Sequence, residues 1–174
     1  GRYVLDLGSG DGVTSLKAKR EGASKVIAVD NNLLNRDRLK RHIKANHMDI
    51  NDFCFVHANI HERSWLDRIP KDEIEIVVAN IGPHYGDSDL EAIYLLEHLP
   101  MVHTFIGGGY GVRGFTRDFR PLNPAQALYG GTVDTPYNLL RKQGFANFKG
   151  IIEIEKVWSG EKQKRMAFIA EKAL

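Results

Sequence analysis

The residues best suited to chemistry in this 174-residue chain gather near its start. Asp6-Leu7-Gly8-Ser9-Gly10-Asp11-Gly12 closes a short apolar run and opens a stretch of helix-compatible residues, so three glycines fall where a strand turns into a helix. Without β-carbons, the backbone there can take positive φ values and come close to a ligand. Asp30 ends a second apolar run, Lys25 to Asp30, with Asn31 beside it. Its two carboxylate oxygens suit the two hydroxyls of a ribose. A dinucleotide fingerprint counted from Gly8 and Gly10 would place its third glycine at position 13, which is occupied by Val13. Asp6 and Asp11 add negative charge, unfavourable beside a pyrophosphate but favourable beside a cofactor that carries an amine and a sulfonium. The pattern therefore points away from a nicotinamide cofactor.

A second group lies at Asn80-Ile81-Gly82-Pro83-His84-Tyr85, where a fourth apolar run ends. The Asn80 side-chain oxygen can accept hydrogen bonds from an amine and orient its lone pair. His84 is a candidate proton acceptor, and Tyr85 an aromatic wall for the same site. His57 and His61 straddle a strand end without cysteines or carboxylates at metal-ligand spacing, so no metal is expected. Cys54, the only cysteine, is flanked by Phe53 and Phe55 and reads as a small buried hydrophobe.

These residues need elements to hold them. Apolar runs at 3–7, 25–30, 53–56, 74–79 and 102–106 predict five strands, interleaved with helices from Asp11 to Glu21, around Leu39 and Ile43, and from Ser88 to about His98. Ser88 and Glu91 have capping-box spacing. Alternating strands and helices imply right-handed parallel crossovers, hence a doubly wound α/β sheet covered on both faces. Gly107 to Thr132 is rich in Gly, Pro, Arg and aromatic residues without a period, and reads as a functional loop. Its Arg113, Arg117 and Arg120, interleaved with Tyr110, Phe115 and Phe119, suit either a lid over an acidic or nucleotide acceptor or a solvated loop packed by its aromatics. A helix near 135–143 then leads to two extended runs, Phe148–Val157 and Arg165–Ala170, that form a closing antiparallel hairpin. The basic stretch from Arg36 to Lys44 reads as the water-facing side of a helix in preference to a nucleic-acid surface.

Val4 to Gly12 resembles motif I of class I S-adenosylmethionine-dependent methyltransferases, and Val26 to Asp30 resembles their second motif. The element order agrees along essentially the whole chain. The resemblance implies a Rossmann-like, seven-stranded, mostly parallel sheet with a C-terminal antiparallel hairpin, and S-adenosylmethionine as cofactor with S-adenosylhomocysteine as product. It further implies that Asp6, Gly8, Ser9 and Gly10 line the methionine end, that Asp30 and Asn31 hold the ribose, and that Asn59 and Ile60 lie near the adenine. Asn80 falls beside the transferred methyl. Asn59 departs from the commoner Asp. Asn80-Ile81-Gly82-Pro83 resembles the Asn-Ile-Leu-Ala segment of ribosomal protein L11 methyltransferases and, more loosely, the Asn-Pro-Pro-Tyr segment of amino-group methyltransferases, departing from both at Gly82-Pro83.

The expected activity is N-methylation of a protein; RNA or small-molecule methylation, and a non-catalytic cofactor-binding module, are the alternatives. Length predicts one catalytic domain, and a start at Gly1 almost inside a strand predicts an upstream segment. With 43% hydrophobic and 26% charged residues the chain is expected to fold, and the absence of a long apolar run or a signal peptide predicts a cytoplasmic protein without a membrane partner. A net charge of +2 names no substrate, and oligomeric state is not readable.

Overall fold

Alternate residues of the central strands pack into two separate layers, which is why these strands read as unbroken apolar runs. In β2 (Lys25–Asp30), Val26 and Ala28 join Val4, Leu16, Leu39 and Ile43 on one face of the sheet. Ile27 and Val29 join Leu5, Leu7, Trp65, Ile93 and Leu140 on the other. The structure, a computed structural model, describes residues 1–80, 88–110, 136–158 and 161–173.

The remaining elements are β1 (Tyr3–Leu7), α1 (Val13–Arg20), α2 (Leu33–Ala45), β3 (Phe53–His57), β4 (Ile74–Asn80), α3 (Ser88–Tyr94), β5 (Thr104–Tyr110), α4 (Pro136–Lys142), β6 (Phe145–Trp158) and β7 (Glu161–Lys172). They build one seven-stranded sheet in the order β3-β2-β1-β4-β5-β7-β6. The five strands β1 to β5 pair with one another in parallel, and β7 runs antiparallel to both β5 and β6. The chain winds outward from β1 through β2 to β3, then returns to the other side of β1 with β4. The carboxyl ends of β1 and β4 therefore flank the point where the winding reverses, the usual ligand crevice of such sheets.

The architecture matches the expected doubly wound α/β sheet, with local differences. α1 starts at Val13 rather than Asp11, because Gly12 stands at φ 88° and ψ 13°, outside the right-handed helical region. The helix expected from Ser88 to His98 is α-helical only to Tyr94 and tightens into a 3-10 turn over Leu95–His98. β5 begins at Thr104, two residues later than expected, and runs on to Tyr110, so Gly107-Gly108-Gly109 is strand rather than loop. Pairing decides this: Gly107 to Tyr110 lie opposite Phe168 to Arg165 of β7, Gly107 and Gly108 also pair with Ala79 and Asn80 of β4, and this pairing outweighs the poor strand preference of glycine. The hairpin strands are longer than the two extended runs, with β6 crossing irregularities at Phe145/Asn147 and Gly150/Ile152. Residues 111–135, most of the expected functional loop with its three arginines, lie outside the described residues. Cys54 is half-buried against the core rather than fully enclosed. Among the described residues, no helix is long and apolar enough to cross a membrane.

Candidate functional site

Six polar or charged side chains are buried among the described residues, and five of them, Asp6, Ser9, Ser15, Asp30 and Asn35, gather beside the carboxyl ends of β1 and β2. Sheet pleat explains the meeting. Asp6 and Asp30 have the parity of Val4 and Ala28 along their strands, so both face the layer that contains α1 and α2. α1 contributes Ser15, whose hydroxyl donates to Asp6 Oδ2 at 2.5 Å, and α2 contributes Asn35, whose Nδ2 donates to Asp30 Oδ1 at 2.9 Å.

The glycine loop is built around that pair. Gly8, Gly10 and Gly12 have φ of 65°, 55° and 88°, a left-handed conformation that side chains rarely adopt. The Ser9 N–H donates to the Val29 carbonyl at 3.0 Å, stitching the loop to β2, and the Gly12 N–H donates to the Ser9 carbonyl at 3.0 Å. A β-carbon on Gly12 would lie 2.3 Å from Leu39 Cδ1, so this glycine lets α1 and α2 close on each other. At Gly10 a β-carbon would meet nothing within 4 Å, so the backbone there borders open space. Beside it, the Ser9 hydroxyl is buried and has no hydrogen-bond partner among the described residues. An unsatisfied buried hydroxyl next to a left-handed glycine loop is what a polar ligand would complete.

Asp30 is held from three sides. Oδ1 accepts from the Asn32 N–H at 2.8 Å as well as from Asn35, while Oδ2 accepts from the Gly10 N–H at 2.8 Å. A carboxylate offers about four acceptor sites, which leaves Oδ2 with room for one further donor. Asn35 is itself fixed, accepting from Arg38 Nη1 at 3.1 Å. Asp6, 1% exposed, behaves differently: loss of hydration raises its pKa to about 7 from an ordinary 3.8, the nearby Asp30 charge adds to the rise, and hydrogen bonds from Ser15 oppose it. Near neutral pH, Asp6 is therefore poised between its charged and uncharged forms.

Asp6, Gly8, Ser9, Gly10 and Asp30 are thus brought together. Asn31 is exposed next to them, its carbonyl 2.9 Å from His57 Nε2. Asn59 is also exposed, and its Oδ1 accepts from the His61 N–H at 3.1 Å, an Asx turn that shapes the loop after β3. Ile60 is buried in the core beneath that loop. Asn80 ends β4 opposite Gly108, at the reversal point of the sheet. His84, Tyr85 and the Gly82-Pro83 departure lie outside the described residues. No group of three His, Cys, Asp or Glu side chains able to hold a metal occurs among the described residues. Sequence reasoning missed Ser15 and Asn35. The available signal was faint: each is a polar residue on the inward face of a helix, beside Leu16 and four residues before Leu39 respectively.

Comparison with known proteins agrees with this geometry. Residues 1–84 match the family model of ribosomal protein L11 methyltransferase (PrmA). The ribosomal protein L11 methyltransferase of Thermosipho africanus is 40% identical over 50 residues, covering 29% of this chain and 19% of its own length. The rice protein named "Probable protein arginine N-methyltransferase 3" is 26% identical over 145 residues, covering 68% of this chain and 23% of its own. The chain thus spans less than a quarter of the length of either relative. Among solved structures, magnesium protoporphyrin IX methyltransferase from Synechocystis with bound S-adenosylmethionine superimposes with a TM-score of 0.56 at 15% identity, over 99% of this chain and 71% of that one. The fold is that of the class I methyltransferases, and the resemblance carried by Val4 to Gly12 and Val26 to Asp30 holds.

Proposed function

We propose that this chain is the catalytic domain of an S-adenosylmethionine-dependent methyltransferase that methylates a nitrogen on a protein. One observation carries the cofactor half of the reading: the left-handed glycine loop borders open space beside an unsatisfied buried hydroxyl and a carboxylate with one acceptor site to spare. The family match over residues 1–84 and the two relatives, both named as methyltransferases acting on proteins, support the acceptor class.

The residues fit the cofactor. Asp30 Oδ2 would take a ribose hydroxyl, with Asn31 beside it. Gly8, Ser9 and Gly10 would hold the methionine end, and Asp6 would lend negative charge to the ammonium and sulfonium. Asn59 and Ile60 would border the adenine. When bound, the cofactor supplies an electrophilic methyl with a good leaving group, so no covalent intermediate with the protein is required. The chain has to align the acceptor and exclude water, which can account for much of the acceleration of a displacement of this kind. An amine must be neutral when it attacks. Asn80, at the end of β4, would accept hydrogen bonds from it, and His84 and Tyr85 are the proposed proton acceptor and aromatic wall.

The test is titration calorimetry with S-adenosylhomocysteine and NAD in parallel on the wild-type chain and on Asp30→Ala, followed by transfer of labelled methyl to ribosomal proteins and to RNA. Binding of S-adenosylhomocysteine but not NAD, lost in Asp30→Ala, and labelling of protein are the expected results. Folded protein that binds neither ligand refutes the cofactor reading. Labelling of RNA alone moves the acceptor class, and binding without transfer to any acceptor favours a non-catalytic module.

A further inference from the structure

The loop after β3 is tied to the helix that follows the Asn80 segment. Residues 59–63 fold tightly: besides the Asx turn at Asn59, the Glu62 N–H donates to the Asn59 carbonyl at 3.0 Å. Arg63 closes the loop, its Nη1 donating to the Ile60 carbonyl at 3.2 Å, and its other terminal nitrogen, Nη2, pairs with Glu91 Oε1 on α3. His61 Nδ1 lies 3.8 Å from the second Glu91 oxygen. The Glu91 carboxylate faces the β3 loop, with only 18% of the side chain exposed. One guanidinium thus grips both a backbone carbonyl of one loop and a carboxylate of a distant element.

We infer that Arg63 and Glu91 are positioning residues that set the adenine side of the cofactor site. The inference rests on the functional reading above, in which Asn59 and Ile60 border the adenine. The Ile60 carbonyl cannot shift without breaking its bond to Arg63, and Arg63 cannot follow it without leaving Glu91. Arginine suits the task because two of its nitrogens reach two acceptors in a fixed fork, whereas a lysine ammonium is a point charge on a flexible stem.

The experiment measures dissociation constants for S-adenosylhomocysteine and for 5′-methylthioadenosine, which lacks the amino-acid end, well below the melting temperature of each variant. The proteins are wild type, Arg63→Ala, Arg63→Lys, Glu91→Gln and the double variant Arg63→Ala/Glu91→Gln. Each single substitution is expected to weaken both ligands alike, by about 3–10-fold, with the double variant no weaker than the worse single one. Arg63→Lys should restore only part of the loss. Variants that melt earlier yet bind both ligands like wild type would reduce the pair to a surface ion pair and overturn the inference. Weakening of S-adenosylhomocysteine alone would overturn it too, because the effect would then lie at the amino-acid end. A wild-type protein that binds neither ligand fails the functional reading, and the inference falls with it. Should Arg63→Ala not fold, Arg63→Lys and Glu91→Gln still decide the question.

Discussion

The two halves of the sheet are stabilised in different ways. Around β1 and β2, polar groups are buried and answered by neighbours close in sequence: Asp6 by Ser15, Asp30 by Asn32 and Asn35. Around β5 and β7, the described interior is apolar apart from Thr104, and its contacts join residues distant in sequence. Phe105 and Phe168 meet with ring centroids 5.9 Å apart, and Gly107 leaves room for the Phe168 ring. The first half spends burial on hydrogen-bonded carboxylates that a ligand can use, and the second spends it on packing that holds the reversed strand in place. Changes in the first half should therefore register in ligand binding and pH response, and changes in the second in stability alone.

The largest expected effect is electrostatic. Because the pKa of Asp6 is raised to about 7 when folded, its contribution to stability is fully present below its unfolded value near 3.8 and is lost as pH rises through about 7. Relative to Asp6→Asn, wild type should lose stability on the order of a few kcal/mol between pH 4 and 7, read from denaturant unfolding at each pH. Parallel pH profiles for the two proteins would contradict the buried-carboxylate account.

Next comes Asp30→Ala, which removes the acceptor of two backbone N–H groups and the Asn35 amide. Hydrogen bonds to charged groups contribute about 1.5–3 kcal/mol, so a loss on the order of 100-fold in S-adenosylhomocysteine affinity is expected. Gly107→Ala tests the other half. Its β-carbon would sit 2.4 Å from Phe168 Cε1, and Phe105 crowds the same space. Denaturant unfolding should register a cost of about 1–3 kcal/mol, while the ligand affinity of the folded fraction stays at the wild-type value. A changed affinity there would break the division between halves. The smallest effect is expected at Asn35→Ala, which loosens one oxygen of Asp30 and leaves the other held by Gly10; calorimetry should find roughly a 3–10-fold weaker ligand.

Glycine spacing from Gly8 to Gly12, the Asp30 that ends β2 and the apolar runs were enough to anticipate the doubly wound sheet and the carboxylates that meet in it. Each of these signals is local: a turn needs glycine where it turns, and a strand covered on both faces must be apolar throughout. Three features were not local. Gly107 to Tyr110 became strand because β7, and at Gly107 and Gly108 also β4, offers it partners, which strand propensity does not record. The near-neutral pKa of Asp6 follows from complete burial next to Asp30, and burial exists only once α1 and α2 have closed over the sheet. Glu91 found Arg63, 28 positions earlier in the chain, because folding brought a guanidinium within reach of its carboxylate. What the order of residues determined by itself was which groups stand at the ends of the strands. Which of them are dehydrated, and which partner each one finds, was decided by tertiary packing, since hydration and distance are properties of the closed fold and not of the chain.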